Sequence, residues 1–126
     1  MSARDCPFCE IPQDRVIATN DLAVAIRDGF PVTEGHPLII PRRHLADYFD
    51  LEHAERDAIE ALARSCRAEL METDASIDGF NIGANAGASA GQTIFHVHVH
   101  LIPRRTGDVE KPRGGVRGVI PDKQNY

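Results

Sequence analysis

The stretch Phe95-His96-Val97-His98-Val99-His100-Leu101-Ile102-Pro103 alternates imidazoles with branched aliphatics and constrains the chain more than any other. In an extended strand, residues two apart share a face. His96, His98 and His100 then line one side, and Val97, Val99 and Leu101 line the other. The aliphatic row reads as the buried face of a half-covered sheet. Histidine is not a favoured core residue, so three on one strand face are costly unless something binds there. The stretch is read as a site.

At 126 residues with 42% hydrophobic content, the chain is expected to form one domain, residues 1–126, around an ordinary core. It has no apolar run of about 18 residues, the length a membrane span needs. MSARDCPFCE and the residues after it do not resemble a signal peptide, so a cytoplasmic protein is expected. A formal charge of −5 argues against wrapping nucleic acid, and no sequence-specific nucleic-acid partner is expected. A local basic patch could still hold phosphates.

Residues 1–15, with Pro7 and Pro12, read as an irregular lead-in that must dock through Phe8 and Ile11. Val16 to Ala18 and Leu22 to Ile26 read as short strands joined by the turn Thr19-Asn20-Asp21. Asp28-Gly29 makes another turn, and Pro37 to Pro41 a third strand with its prolines at the ends. From Leu51 to about Glu72, apolar residues recur at three and four (Leu51, Ala54, Ala58, Ile59, Leu62, Cys66, Leu70), which predicts one long helix. Asp50, Glu52 or His53 could mark its start, and it should end near Thr73 or Asp74. Phe80 to Ala84 reads as a strand, followed by a small, polar loop from Asn85 to Gln92 and then the histidine strand. From Arg104 the composition turns basic and glycine-rich. Residues 104–126 either fray or fold over a cleft or a partner subunit, and Val116, Val119, Ile120 and Tyr126 favour docking. Helix and strands are segregated, which predicts an α+β fold with one antiparallel sheet and one long helix. One sheet covered by one helix buries little, so continuation across a homodimer is expected.

Imidazole can be a metal ligand, an acid–base group or a nucleophile. Alternate side chains on one strand face stand about 6–7 Å apart, so three cannot easily bind one ion unless the strand bends. A metallohydrolase and a histidine nucleophile both remain open on pattern alone. The surroundings favour the nucleophile. No Asp or Glu lies between Phe80 and Thr106, whereas Gly87, Gly91, Asn85, Ser89, Gln92 and Thr93 supply amides and hydroxyls suited to phosphoryl oxygens. Cys6 and Cys9 have the spacing of a metal knuckle or a redox pair. A metal fits better, because no strand precedes Cys6 as a redox motif would require. Cys66 reads as a small buried hydrophobe.

His-Val-His-Val-His-Leu-Ile at 96–102 resembles the defining motif of the histidine triad (HIT) family of nucleotide hydrolases and transferases. The similarity extends over the Phe8 and Ile11 lead-in, Ile26 to Asp28, Gly35-His36 to His44, Asn85 and Gly91-Gln92-Thr93. The resemblance implies a HIT-like fold. It implies that His98 attacks the α-phosphorus of a nucleoside 5'-phosphate derivative and forms a nucleotidyl-histidine that water hydrolyses. His100 would polarise the α-phosphate and His36 support the array. Gln92 and Thr93 would hold phosphate or leaving-group oxygens, with Gly91 in the same loop and Asn85 holding phosphate or loop groups. Asp28 would accept the ribose hydroxyls, and Phe8, Ile11, Ile26 and Leu38 would form the base slot. Threonine at 93 stands where the family often has serine.

A zinc-containing branch of the family closes its metal with two N-terminal cysteines, a histidine of the preceding segment and the first triad histidine. That set corresponds to Cys6, Cys9, His44 and His96. His44 taken alone could equally be a surface residue. The resemblance thus implies a structural Zn²⁺ and no organic cofactor. The substrate class it implies is a diadenosine polyphosphate-like nucleotide or dinucleotide. A purine nucleoside phosphoramidase and a nucleotide-binding protein with little turnover are the alternatives.

Overall fold

The computed structural model describes residues 5–126; the first four residues of the lead-in lie outside the described residues. Five antiparallel strands form one sheet: β1 (Val16–Thr19), β2 (Ala23–Arg27), β3 (Pro37–Pro41), β4 (Ile77–Gly83) and β5 (Val99–Arg105), in spatial order β1-β2-β3-β5-β4. One long helix, α1 (His53–Thr73), joins β3 to β4 across one face. This is the expected α+β architecture. No helix among the described residues is long and apolar enough to cross a membrane.

The helix begins two residues later than the apolar period predicts. Glu52 is its N-cap, in a capping box with Glu55: the Glu52 N–H donates to Glu55 Oε1 at 2.9 Å. The buried Leu51 packs just outside the helix, and Asp50 closes a preceding 3₁₀ turn. Ile59, Leu62 and Cys66 face Ala23, Ala25, Ile39, Val97, Val99 and Leu101. The opposite face of β2 and β3 carries Val24, Ile26, Leu38 and Ile40, covered by Cys6 and Phe8 of the N-terminal arm. Cover on both faces explains why β3 is buried along its whole length.

Two strand boundaries depart from the sequence pattern. β4 starts at Ile77, before the expected Phe80, and Asp78-Gly79 is absorbed as an irregularity in its pairing with β5. β5 starts only at Val99, so of the three histidines His100 alone lies in a regular strand. Pairing of β3 with β5 covers only Leu38 with His100 and Ile39 with Val99. Upstream, the Val97 N–H donates to Leu45 O at 2.8 Å instead, and the chain bends at Ile94 to His96. Burial still alternates: Val97, Val99 and Leu101 enter the helix-side core. The bend lets His96 and His100 serve different centres.

β5 also runs on through Arg104 and Arg105, which were read as the start of the tail. Arg104 forms a two-point ion pair with Asp108, both bonds 2.8 Å, and donates to Asn81 Oδ1. Beyond it the chain returns to the histidine face of β4 and β5, where a 3₁₀ turn (Gly115–Val119) lies across a cleft from His100.

Candidate functional site

The Cys6-to-Cys9 turn, closed by the Cys9 N–H on Cys6 O at 3.2 Å, brings both thiols to His44 and His96. Cys6 Sγ lies 3.4 Å from His96 Nδ1, and Cys9 Sγ lies 3.2 Å from His44 Nδ1 and 3.6 Å from His96 Nδ1. The two Nδ1 atoms are 3.3 Å apart. A tetrahedral ion with Zn–S near 2.3 Å and Zn–N near 2.0–2.1 Å sets S···N edges of about 3.5 Å and N···N edges of about 3.3 Å. His96 Nε2–H donates to Pro41 O at 2.7 Å, so its Nδ1 presents a lone pair toward the other three donors. Four acceptor atoms converging at these spacings fit a soft divalent cation.

His44 is held by its neighbour. Arg43 donates to both oxygens of the buried Glu55, at 3.1 and 2.7 Å, and to Asp50 O. The Arg43 hydrogen bond outweighs desolvation and lowers the Glu55 pKa, keeping the pair ionised. Nothing in the sequence marks this pair, because the capping box here uses Glu52 in place of the usual Ser or Thr.

Backbone partners assign the tautomers of the other histidines. His98 Nδ1–H donates to His96 O at 2.8 Å, which leaves the Nε2 lone pair unprotonated. The Val32 N–H donates to His36 Nδ1 at 3.1 Å, so His36 carries its proton on Nε2 and donates to His100 Nδ1 at 3.0 Å. His100 then carries its remaining proton on Nε2. Asp28 Oδ2 stands 3.6 Å from His36 Nε2 and 4.0 Å from His100 Nδ1, while Oδ1 accepts the Phe30 N–H at 2.8 Å. The His98 and His100 ring centroids are 5.4 Å apart, and the Phe8 ring stands edge-on to His98 at 5.1 Å.

Of the residues expected at the base slot, Ile11 is half-buried, whereas Phe8 of the arm is buried in one cluster with Ile26 and Leu38 of the sheet. The loop residues divide sharply. Gln92 is buried: its Nε2 donates to Ala46 O and Ile94 O, and its Oε1 accepts the Gly87 N–H. Its amide therefore braces the loop against the His44 segment and does not face the cleft. The N–H groups of Gly91 and Gln92 bond within the loop, and Gly91 has the φ of +99° that closes it. Thr93 is exposed, with no hydrogen-bond partner among the described residues for its N–H or hydroxyl. Asn85 abuts Gly91 and lines the cleft with His100.

Burial lowers the pKa of both His36 and His100. Asp28 opposes this at both, and the neighbouring His98 and His36 add to it at His100. Both rings are neutral at pH 7. The folded chain thus resists protons that the unfolded chain takes up at about the ordinary imidazole value of 6.5. Stability contributed by these groups is full above that pH and is lost as pH falls toward the depressed folded values. Thermal melts from pH 8 to pH 5 are expected to show this acid-side loss. The slope should be shallower in His36→Asn, which lacks one titrating group; equal slopes in the two proteins would refute it.

The HIT domain family model matches residues 10–107. An uncharacterized HIT-like protein of Mycoplasma genitalium, MG132, is 38% identical over 103 residues, covering 79% of this chain and 72% of that protein. Among solved structures, a Zn-bound histidine triad family protein from Mycobacterium smegmatis superposes with a TM-score of 0.74 at 33% identity, over 85% of this chain and 80% of that one. The diadenosine triphosphate hydrolase of Plasmodium falciparum, solved with cyclomarin A, gives 0.70 at 29% identity, over 80% and 68%. With the family model spanning most of the chain and the histidine cluster in place on the matching fold, this chain belongs to the HIT domain family.

Proposed function

We propose that this chain is a nucleotide hydrolase that acts at the α-phosphorus of a nucleoside 5'-phosphate derivative through a nucleotidyl-histidine intermediate. One observation carries the reading: the unprotonated Nε2 of His98 beside the protonated Nε2 of His100. His98 Nε2 forms a bond to the α-phosphorus as the bond to the leaving group breaks. The His100 N–H hydrogen-bonds a non-bridging oxygen, whose negative charge grows in the transition state. Water then attacks the same phosphorus and returns the electron pair to His98. Two in-line displacements at the same phosphorus, each with inversion, retain configuration overall.

Thr93 offers its N–H and hydroxyl to the phosphate or leaving-group oxygens, and Asn85 its amide. Asp28 Oδ2 is the oxygen placed to accept ribose hydroxyls, because Oδ1 is engaged by Phe30. Gln92 and His36 act through their neighbours, one bracing the loop and the other setting the His100 tautomer. Phe8 and Ile11 are the arm residues nearest to a base slot, over a floor of Ile26 and Leu38. The P. falciparum relative, a diadenosine triphosphate hydrolase, supports a dinucleoside polyphosphate as substrate class.

Cys6, Cys9, His44 and His96 would hold a structural Zn²⁺, with no position left for substrate; the zinc-bound M. smegmatis relative supports this. Such a site, with three free cysteines, suits the reducing cytoplasm. A second copy of the chain is the partner we infer, because edge strand β4 leaves Ile82 60% exposed. The experiment is a rapid quench during turnover of diadenosine triphosphate or adenosine 5'-phosphoramidate, followed by peptide mass analysis. An AMP adduct on His98 is expected with whichever substrate turns over. Turnover without any adduct sinks the covalent route.

A further inference from the structure

Asp28 and His36, which both stand beside His100, lie at the two ends of one loop, residues 28–36, between β2 and β3. The Asp28 N–H donates to His36 O at 3.1 Å and closes the base of this loop. Its large apolar residues do not anchor it, since Phe30 is 92% exposed and Val32 70%. Beyond His100, no strand among the described residues pairs with the edge of β5 that faces β3. Pro103 has no N–H to offer there, so side chains make the junction. The Thr33 hydroxyl donates to Pro103 O at 2.7 Å, and Arg105 Nη2 donates to Glu34 O at 3.0 Å.

Arg105 is itself rooted in two other elements. Its Nη2 also donates to Asp74 Oδ2 at 2.8 Å, and its Nε donates to Ser76 Oγ at 3.2 Å. Asp74 is the C-cap of α1, with its N–H on Leu70 O, and Ser76 immediately precedes β4. The Ser76 hydroxyl and Arg105 hold the Asp74 carboxyl down at about 2, so the pair stays ionised at neutral pH. One guanidinium fork thereby ties the loop to the end of the helix and the start of an edge strand. Between Glu34 and His36 stands Gly35, with φ +91°, whose wide backbone range lets His36 follow Glu34 once that carbonyl is released. We infer that Arg105 is a positioning residue for the histidine site: its bond to Glu34 O fixes the loop that presents His36 Nε2–H to His100 Nδ1. Its effect on rate rests on the nucleotide reading of that site. Arg104, one position earlier, has no such link and pairs instead with Asp108 and Asn81.

The test uses the full chain with ¹⁵N-labelled histidine at pH 8, where the His36 and His100 rings are neutral. Long-range ¹H–¹⁵N spectra of the parent protein are expected to show both rings with the proton fixed on Nε2. In Arg105→Gln both signals are expected to move toward the average of the two tautomers. With whichever of diadenosine triphosphate and adenosine 5'-phosphoramidate turns over, kcat should fall about tenfold. Arg104→Gln loses an ion pair on the same strand and so controls for simple loosening; its histidine signals and kcat should hold. Should the glutamine variant not fold, Arg105→Lys keeps a charge beside Asp74. One ammonium cannot serve three acceptors as the fork does, so the same changes, smaller, are expected. Histidine signals that stay fixed in a folded Arg105 variant overturn the positioning role. Signals that move equally in Arg104→Gln, or move with kcat unchanged, overturn it too. Signals that move in the Arg105 variants alone, in a protein that turns over neither nucleotide, uphold the loop anchor and refute the nucleotide reading.

Discussion

His98→Ala is expected to lower kcat by about 10⁴-fold or more, with the fold and the Cys6–Cys9–His44–His96 cluster intact. The size follows from what is removed. His98 supplies the bonding electron pair, and no other unprotonated imidazole nitrogen is placed to replace it: His36 Nδ1 accepts from Val32, His100 Nδ1 accepts from His36, and His96 Nδ1 faces the cysteines. The His98 ring is only half-buried and its one backbone bond is to His96 O, so its loss leaves the core packing of Val97 and Val99 unchanged. His100→Ala removes a hydrogen-bond donor to the phosphate and keeps the nucleophile, so a loss of about 10²–10³-fold is expected. His36→Ala acts one step further out, by freeing the His100 tautomer, and should cost less than His100→Ala. Its loss should also shift the pH–rate profile, a change that simple loosening of the fold would not produce. Steady-state kinetics of the three variants on one substrate check the order. A His100 variant slower than the His98 variant would exchange the two roles.

The parts of this arrangement that rest on side-chain periodicity were legible in the chain. Alternation of Val97, Val99 and Leu101 with histidines carries its own burial pattern, and the spacing of Ile59, Leu62 and Cys66 carries the helix. The parts that rest on backbone acceptors were not. Pro41 O, Leu45 O and Ala46 O hold His96, Val97 and Gln92 respectively, and a carbonyl leaves no mark on residue identity. These three contacts bend the histidine stretch out of regular strand, and so separate His96 from His98 and His100. Gln92 illustrates the same blindness at a site residue. Resemblance implied that its amide meets phosphate, but its position beneath the loop commits every polar atom of that amide to the protein. Arg43 and Glu55, twelve positions apart, were invisible for another reason: each reads as an ordinary surface charge until α1 folds back over β3.

The second large effect concerns the joint between the arm and the sheet. Cys6→Ser is expected to lower the melting temperature by about 10 °C or more and to abolish zinc binding, for which metal analysis of the parent protein should give about one ion per chain. The arm from Cys6 to Pro12 pairs with no strand among the described residues; its backbone hydrogen bonds are local, and Phe8, Ile11 and the two cysteines tie it to the rest. Without the metal, two thiols and two imidazole nitrogens, all within 4.8 Å of one another, lose the cation that reconciles them. The arm then has only the packing of Phe8 and Ile11 on the cluster of Val24, Ile26, Leu38 and Ile40 to hold it down. Its release would uncover that face of β2 and β3 and leave His96 free to turn, with His98 still bonded to the His96 carbonyl. Chelation of the parent protein should reproduce the variant's melting temperature and open residues 5–15 to proteolysis. His98→Ala should keep its zinc and its melting temperature within a few degrees. If instead His98→Ala lost the metal and Cys6→Ser kept it, the bend at His96 would not divide a structural centre from a chemical one, and the three imidazoles would have to be read as one site.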